Sequence, residues 1–144
     1  MISSAVKRRQ VLGFLVFACA ACRRSEGDRC GFCGMKIDPS SPWRAELVQD
    51  GGHRVEFDTP RCALLAWRTG RVAAAGASFQ EFYSREWRDG GQLRFALGSD
   101  VVGPMGPDAV PVDPALAAKF TTDHHAARVL ALGALTADVL SGLS

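Results

Sequence analysis

The chain has 144 residues, 47% hydrophobic and 22% charged, with five cysteines, three methionines and a formal net charge of +2. That length suits a single domain with a real core. The basic excess is local, because residues 1–22 hold three of the 17 Lys+Arg and none of the 15 Asp+Glu; the remainder carries −1, which excludes an electrostatic nucleic-acid footprint.

Residues 1–22 read as an export signal. Lys7, Arg8 and Arg9 precede an apolar run at 11–21 that closes on Ala18, Ala20 and Ala21. The run falls well short of the ~20 residues a membrane-spanning helix needs. Lys7-Arg8-Arg9-Gln10-Val11-Leu12 resembles the twin-arginine export signal, with Val where Phe is usual, and ordinary Sec export is the alternative. Cys22 after Ala20-Ala21 resembles a bacterial lipoprotein processing site, with Cys19 where Leu is usual. This reading makes Cys22 the lipidated amino terminus, and an A-x-A cleavage at Ala18-Cys19-Ala20 is the alternative. Residues 23–29 are a polar tether, and 30–144 form the domain.

The domain opens on Cys30-Gly31-Phe32-Cys33-Gly34-Met35. Thiolates and a thioether make a soft donor set that suits Cu(I), whereas hard cations need oxygen ligands. Gly31 and Gly34 let the backbone bend so that the sulfurs turn toward one point. The alternative is a C-x-x-C that forms a disulfide or half a zinc site, with Met35 in the core. Beyond Cys22 the cysteines are Cys30, Cys33 and Cys62, and an odd number in an oxidising compartment leaves one thiol free or metal-bound.

Pro39 and Pro42 make residues 36–42 a connector. Residues 43–48 and 53–57 read as strands joined at Asp50-Gly51-Gly52, with His53 facing solvent. Asp58 or Thr59 as N-cap and Pro60 at the first position open a helix that runs to about Thr69 and stops at Gly70. Cys62, Leu65 and Ala66 share one face of it, and Arg61 and Arg68 point to solvent. A thiol in the first turn is favoured as thiolate by unpaired amides and the helix dipole; the alternative is that Cys62 is a small buried residue.

Residues 70–78 read as a crossover or a loosely formed helix. Residues 81–87 and 92–97 read as strands around Arg88-Asp89-Gly90-Gly91, and 109–112 as a third. Asp113-Pro114 opens a helix toward Phe120, and Thr122 or Asp123 caps a last helix over 124–140. The order predicts an α+β fold in which two related strand-strand-helix units form one compact domain. No glycine-rich phosphate loop follows a strand. Met105 sits in Gly103-Pro104-Met105-Gly106-Pro107, where a large apolar side chain either packs back or holds its thioether out for an ion. His124 and His125 point about 100° apart on a helix, so one of them joins the site or both belong to the helix start.

These residues resemble the NosL family, the accessory lipoproteins of nitrous oxide reductase maturation, from Cys30 to about Leu132. The matching features are Cys30-x-x-Cys33-Gly34-Met35, Trp43 and Ala45, Phe57-Asp58 before a helix, Pro104-Met105-Gly106, and Ala118-Lys119-Phe120 leading to His124. The resemblance implies paired α+β units and a lipid-anchored protein on the periplasmic side of the cell envelope. It would bind Cu(I) as a chaperone, not as an enzyme, with a nitrous oxide reductase-like copper enzyme or another copper carrier as partner. It makes Cys33, Met35 and Met105 the leading copper donors, with Cys30 adjacent, and Cys62 matches a subset of the family. Two other functions compete. One is a structural zinc site of Cys30, Cys33, Cys62 and one His. The other is a periplasmic thiol oxidoreductase using Cys30 and Cys33.

Overall fold

The structure is a computed structural model describing residues 26–144; the export signal, Cys22 and residues 23–25 of the tether lie outside the described part. Strand β1 (Ala45–Val48) turns Ala45 and Leu47 inward and pairs antiparallel with β2 (Arg54–Phe57), Ala45 opposite Phe57 and Val48 opposite Arg54. That alternation is what a sheet with one buried face requires. Gly51 and Gly52 turn the chain between them at φ of +85° and +84°, a region open to glycine. Helix α1 (Pro60–Arg68) follows as expected, with Thr59 as N-cap. Its first donors all have partners: Arg61 N–H binds the Asp108 carboxylate, Cys62 N–H the Thr59 hydroxyl and Ala63 N–H the Thr59 carbonyl.

Where the sequence suggests a crossover or loose helix, the chain returns as β3 (Gly76–Gln80). It pairs with β1, buries Ala77 and Phe79, and carries β4 (Trp87–Asp89) on its other edge, giving the order β2-β1-β3-β4. Pairing and burial override the helical bias of the alanines. The strand expected over 81–87 gives way to a turn, because the Glu81 carboxylate folds the chain there, and β4 starts only at Trp87 and takes in Arg88 and Asp89 of the expected turn. Glu81 accepts the N–H groups of Tyr83, Ser84 and Asp113 at 2.9, 2.7 and 3.2 Å.

Strand β5 (Arg94–Leu97) is the centre of a second sheet. After it, β6 (Val102–Gly103) and β7 (Gly106–Pro107) form a small hairpin with Pro104 and Met105 at its tip. Strand β8 (Val110–Val112) then pairs with one edge of β5. Asp113 caps a 3-10 turn that runs into α2 (Ala117–His124), so this helix continues past Phe120.

The single helix expected over 124–140 is replaced by three elements. His125 takes a left-handed φ of 54° and ends α2, β9 (Arg128–Ala131) pairs with the free edge of β5, and after a 3-10 turn comes α3 (Ala137–Ser141), capped by Thr136. Alanine and leucine favour helix in isolation, but register with β5 decides the segment: Arg94 faces Ala131 and Leu97 faces Arg128.

Phe79 and Phe95 meet edge-on at 5.0 Å and join the two sheets in one core with Phe57, Leu64, Leu93 and Leu97. Such an aromatic pair adds about 0.5–1.5 kcal/mol beyond its buried area. Leu135 and Leu140 enter the same core beside α1. Arg68 does not point to solvent: its Nε and Nη2 donate to the carbonyls of Leu135 and Leu132, each at 2.8 Å. Arg61 is half-buried as well, its Nη1 3.4 Å from the Pro107 carbonyl. The architecture is α+β, two sheet-and-helix units around a shared interior. Among the described residues no helix is long and apolar enough to cross a membrane.

Candidate metal centre

The cysteine loop is the turn of a narrow hairpin. Arg29 bridges Lys36, Ile37 N–H donates to the Asp28 carbonyl at 2.9 Å, and Cys30 N–H donates to the Met35 carbonyl at 2.8 Å. Gly34 supplies the φ of +74° that closes the turn. Gly31 lies flat on β2: its N–H donates to the Glu56 carbonyl at 3.0 Å, and a Cβ there would come within 2.8 Å of Val55 Cγ1 and 3.1 Å of the Phe57 ring. Two guanidiniums hold the outer side, Arg29 on the Gly34 carbonyl at 2.9 Å and Arg71 on the Phe32 carbonyl at 3.0 Å. Arg71 also covers the Phe32 ring, 4.6 Å from its centroid.

Seated on β2, the loop faces the start of α1, and three sulfurs converge. The Sγ atoms of Cys30, Cys33 and Cys62 all lie within 4.8 Å of one another. All three are free thiols; Cys30 and Cys62 are 4% and 6% exposed, while Cys33 opens to solvent. Among the described residues no other group of three or more His, Cys, Asp and Glu side chains converges this way.

The cluster is electrostatically asymmetric. The Cys62 thiol donates a hydrogen bond to Cys30, and the backbone N–H groups of Asp58, Cys33 and Phe32 add theirs, so the Cys30 thiol is held well below its ordinary value although burial opposes this. Cys62 moves up, because its proton is engaged by Cys30 and because it is buried beside that charge. Cys33 is raised too, chiefly by partial desolvation. The thiolate is therefore Cys30, not Cys62 as its place in the first helical turn suggests. The Cys62 N–H is itself taken by the Thr59 hydroxyl, so it does not stabilise a Cys62 thiolate.

Neither methionine belongs to the core: Met35 is 46% exposed and Met105 45%. Met35, Lys36, Asp38, Asp58 and Pro104 line one open depression of about 390 Å³, so the Met105 turn and the cysteine loop border the same hollow. Asp58 is buried at its edge, its carboxyl pushed up by desolvation and by the Cys30 charge. The histidines stand apart from the three thiols. His124 Nδ1 is 3.0 Å from Asp100 Oδ1 and its ring lies 4.6 Å from that of Phe120, while His125 and His53 are exposed. Asp108, buried between α1 and the Met105 hairpin, was not legible as a site residue; after Pro107 it looks like an ordinary turn aspartate.

The NosL family profile matches residues 22–140. The chain belongs to the NosL family. Among solved structures it is similar to the copper chaperone NosL from Shewanella denitrificans, with a TM-score of 0.66 and 14% identity over 92% of this chain and 98% of that one. At that identity the likeness is one of fold. No curated protein matches the chain. The NosL match takes in the three thiols, both methionines and Cys22.

Proposed function

We propose that the chain is a copper chaperone that carries Cu(I) on sulfur. The observation that carries this reading is the convergence of Cys30, Cys33 and Cys62 within 4.8 Å, with Met35, exposed, on the same loop. Soft donors of this kind select Cu(I) over hard cations. Cys30 supplies a thiolate already formed, exposed Cys33 faces the route by which an ion arrives and leaves, and Met35 and Met105 offer thioethers that need no deprotonation. A carrier needs such an opening, whereas a structural zinc site is closed by four ligands. Here the thiols number three and His124 is engaged by Asp100. The oxidoreductase reading is disfavoured because the C-x-x-C occupies a hairpin turn and its thiolate, Cys30, is the buried member.

In this proposal Cys22 carries the lipid that anchors the protein on the periplasmic side of the envelope. The recipient is a copper enzyme of the nitrous oxide reductase kind or another copper carrier, and the protein performs no catalysis itself. The test is an anaerobic competition titration of the chain with Cys19→Ser and Cys22→Ser, so that only the folded thiols compete. Tight Cu(I) and weak Zn²⁺ binding supports the chaperone, and the reverse order supports the zinc module. Met105→Leu keeps volume and removes the sulfur. It should weaken Cu(I) binding by roughly ten to a hundredfold, the scale on which site changes act.

A further inference from the structure

Asp108 is 2% exposed and follows β7 directly, three residues beyond Met105. Its Oδ1 accepts the N–H of Arg61 in the first turn of α1 at 2.8 Å and that of Ala109 at 2.8 Å. Oδ2 is buried with no partner. It lies under β6, where a Cβ on Gly103 would come within 3.4 Å of it and 3.3 Å of the Trp43 ring. A helix amide can be capped by a surface Ser or Asp without burying anything. Burying a carboxylate with one oxygen unpaired is costly, because that oxygen gives up its water and gains no donor in exchange. Capping alone therefore does not account for it.

Its placement does. The helix that carries Cys62 and the hairpin that carries Met105 come from different halves of the chain, and Asp108 bonds the first from the base of the second. Arg61, reaching the Pro107 carbonyl, ties the same two pieces in parallel. We propose that Asp108 is a positioning residue for the copper site, fixing the β6–β7 hairpin on α1 and so setting where the Met105 thioether stands relative to the thiols. The inference rests on the Cu(I) reading above.

The test is a double-variant comparison in the full chain with Cys19→Ser and Cys22→Ser throughout. Asp108→Ala should weaken Cu(I) binding about tenfold, a typical effect of residues that orient metal ligands. Copper X-ray absorption should then lose one sulfur neighbour, as it does in Met105→Leu. Adding Asp108→Ala to Met105→Leu should cost nothing further, since both act through one donor. In the metal-free protein, amide exchange should quicken over residues 102–107 and stay unchanged at the cysteine loop. Should Asp108→Ala fail to fold, Gly103→Val displaces the hairpin with the cap intact, because its two methyls add bulk at a Cβ that already stands 3.3 Å from the Trp43 ring and 3.4 Å from Oδ2. It should show the same loss of sulfur and the same non-additivity. A drop in melting temperature with affinity and sulfur count intact overturns the proposal, as does a loss that adds to that of Met105→Leu. If Met105→Leu binds Cu(I) as tightly as the parent while Cys33→Ser does not, the positioning role falls and the copper reading survives on the thiols. If the parent does not bind Cu(I), the reading itself falls.

Discussion

Cys62→Ala tests what keeps Cys30 ionised. The thiolate is held by the Cys62 S–H and by the N–H groups of Asp58, Cys33 and Phe32, and the variant deletes only the first. A hydrogen bond to a charged acceptor is worth about 1.5–3 kcal/mol, and one pKa unit is about 1.4 kcal/mol. The Cys30 midpoint should therefore rise by about one to two units, the backbone donors holding the rest. The ultraviolet absorbance of thiolate, followed against pH in metal-free protein with Cys33→Ser, Cys19→Ser and Cys22→Ser, reads it directly. The parent should show one thiolate forming on the acid side of the ordinary thiol range, with the second, Cys62, delayed far beyond it. Because the folded value is lowered, from 9.0 to about 5, the ionised Cys30 adds stability that is complete only above the unfolded value of 9.0. That stability is lost as pH falls through the folded value, so the melting temperature of the metal-free parent should decline across this window. In Cys62→Ala the decline should end at higher pH. An unchanged midpoint, or two thiolates forming together in the parent, refutes the hydrogen-bonded pair.

Gly31→Ala should lift the cysteine loop off β2, since its Cβ would stand 2.8 Å from Val55 Cγ1; urea unfolding should show a loss of about 1–3 kcal/mol, and a stability equal to the parent's would contradict that close approach. Cu(I) affinity should fall on acidification because protons compete for thiolates but not thioethers. A flat profile from neutrality to mild acid would remove Cys33 and Cys62 from the donor set. Cys22→Ser should block lipoprotein processing and release the protein from membranes, whereas unchanged fractionation would count against the anchor.

What the sequence showed best was punctuation. Asp50-Gly51-Gly52, Thr59-Pro60, Gly70 and Asp113-Pro114 each mark a turn or cap that the structure contains, because those residues act through their own backbone geometry. The α+β class and the hairpin of β1 and β2 followed from them. Misread segments were those whose state is set by distant partners. Alanine-rich 73–77 and 126–134 contain strand because β1 and β5 have open edges to fill, and 81–86 is a turn because of one glutamate carboxylate. The three cysteines were visible as an odd set, but which of them is ionised depends on the fold laying the Cys62 S–H and the amides of Asp58, Cys33 and Phe32 against Cys30, and no local spacing announces that convergence.

The bonds from Arg68 to Leu132 and Leu135 span 64 and 67 residues of chain. They make order of emergence matter. A polypeptide leaving a ribosome presents Cys30, Cys33 and Cys62 well before Leu135 and Leu140 arrive to seal the interior beside α1. Closing a loop of that length costs entropy that is offset only once both ends are present. Until then an oxidant or a stray metal ion meets three thiols on a flexible peptide instead of a set array. The interval between synthesis of residue 62 and of residue 140 is thus the vulnerable period for disulfides that the folded protein lacks, and a slower rate of elongation lengthens it.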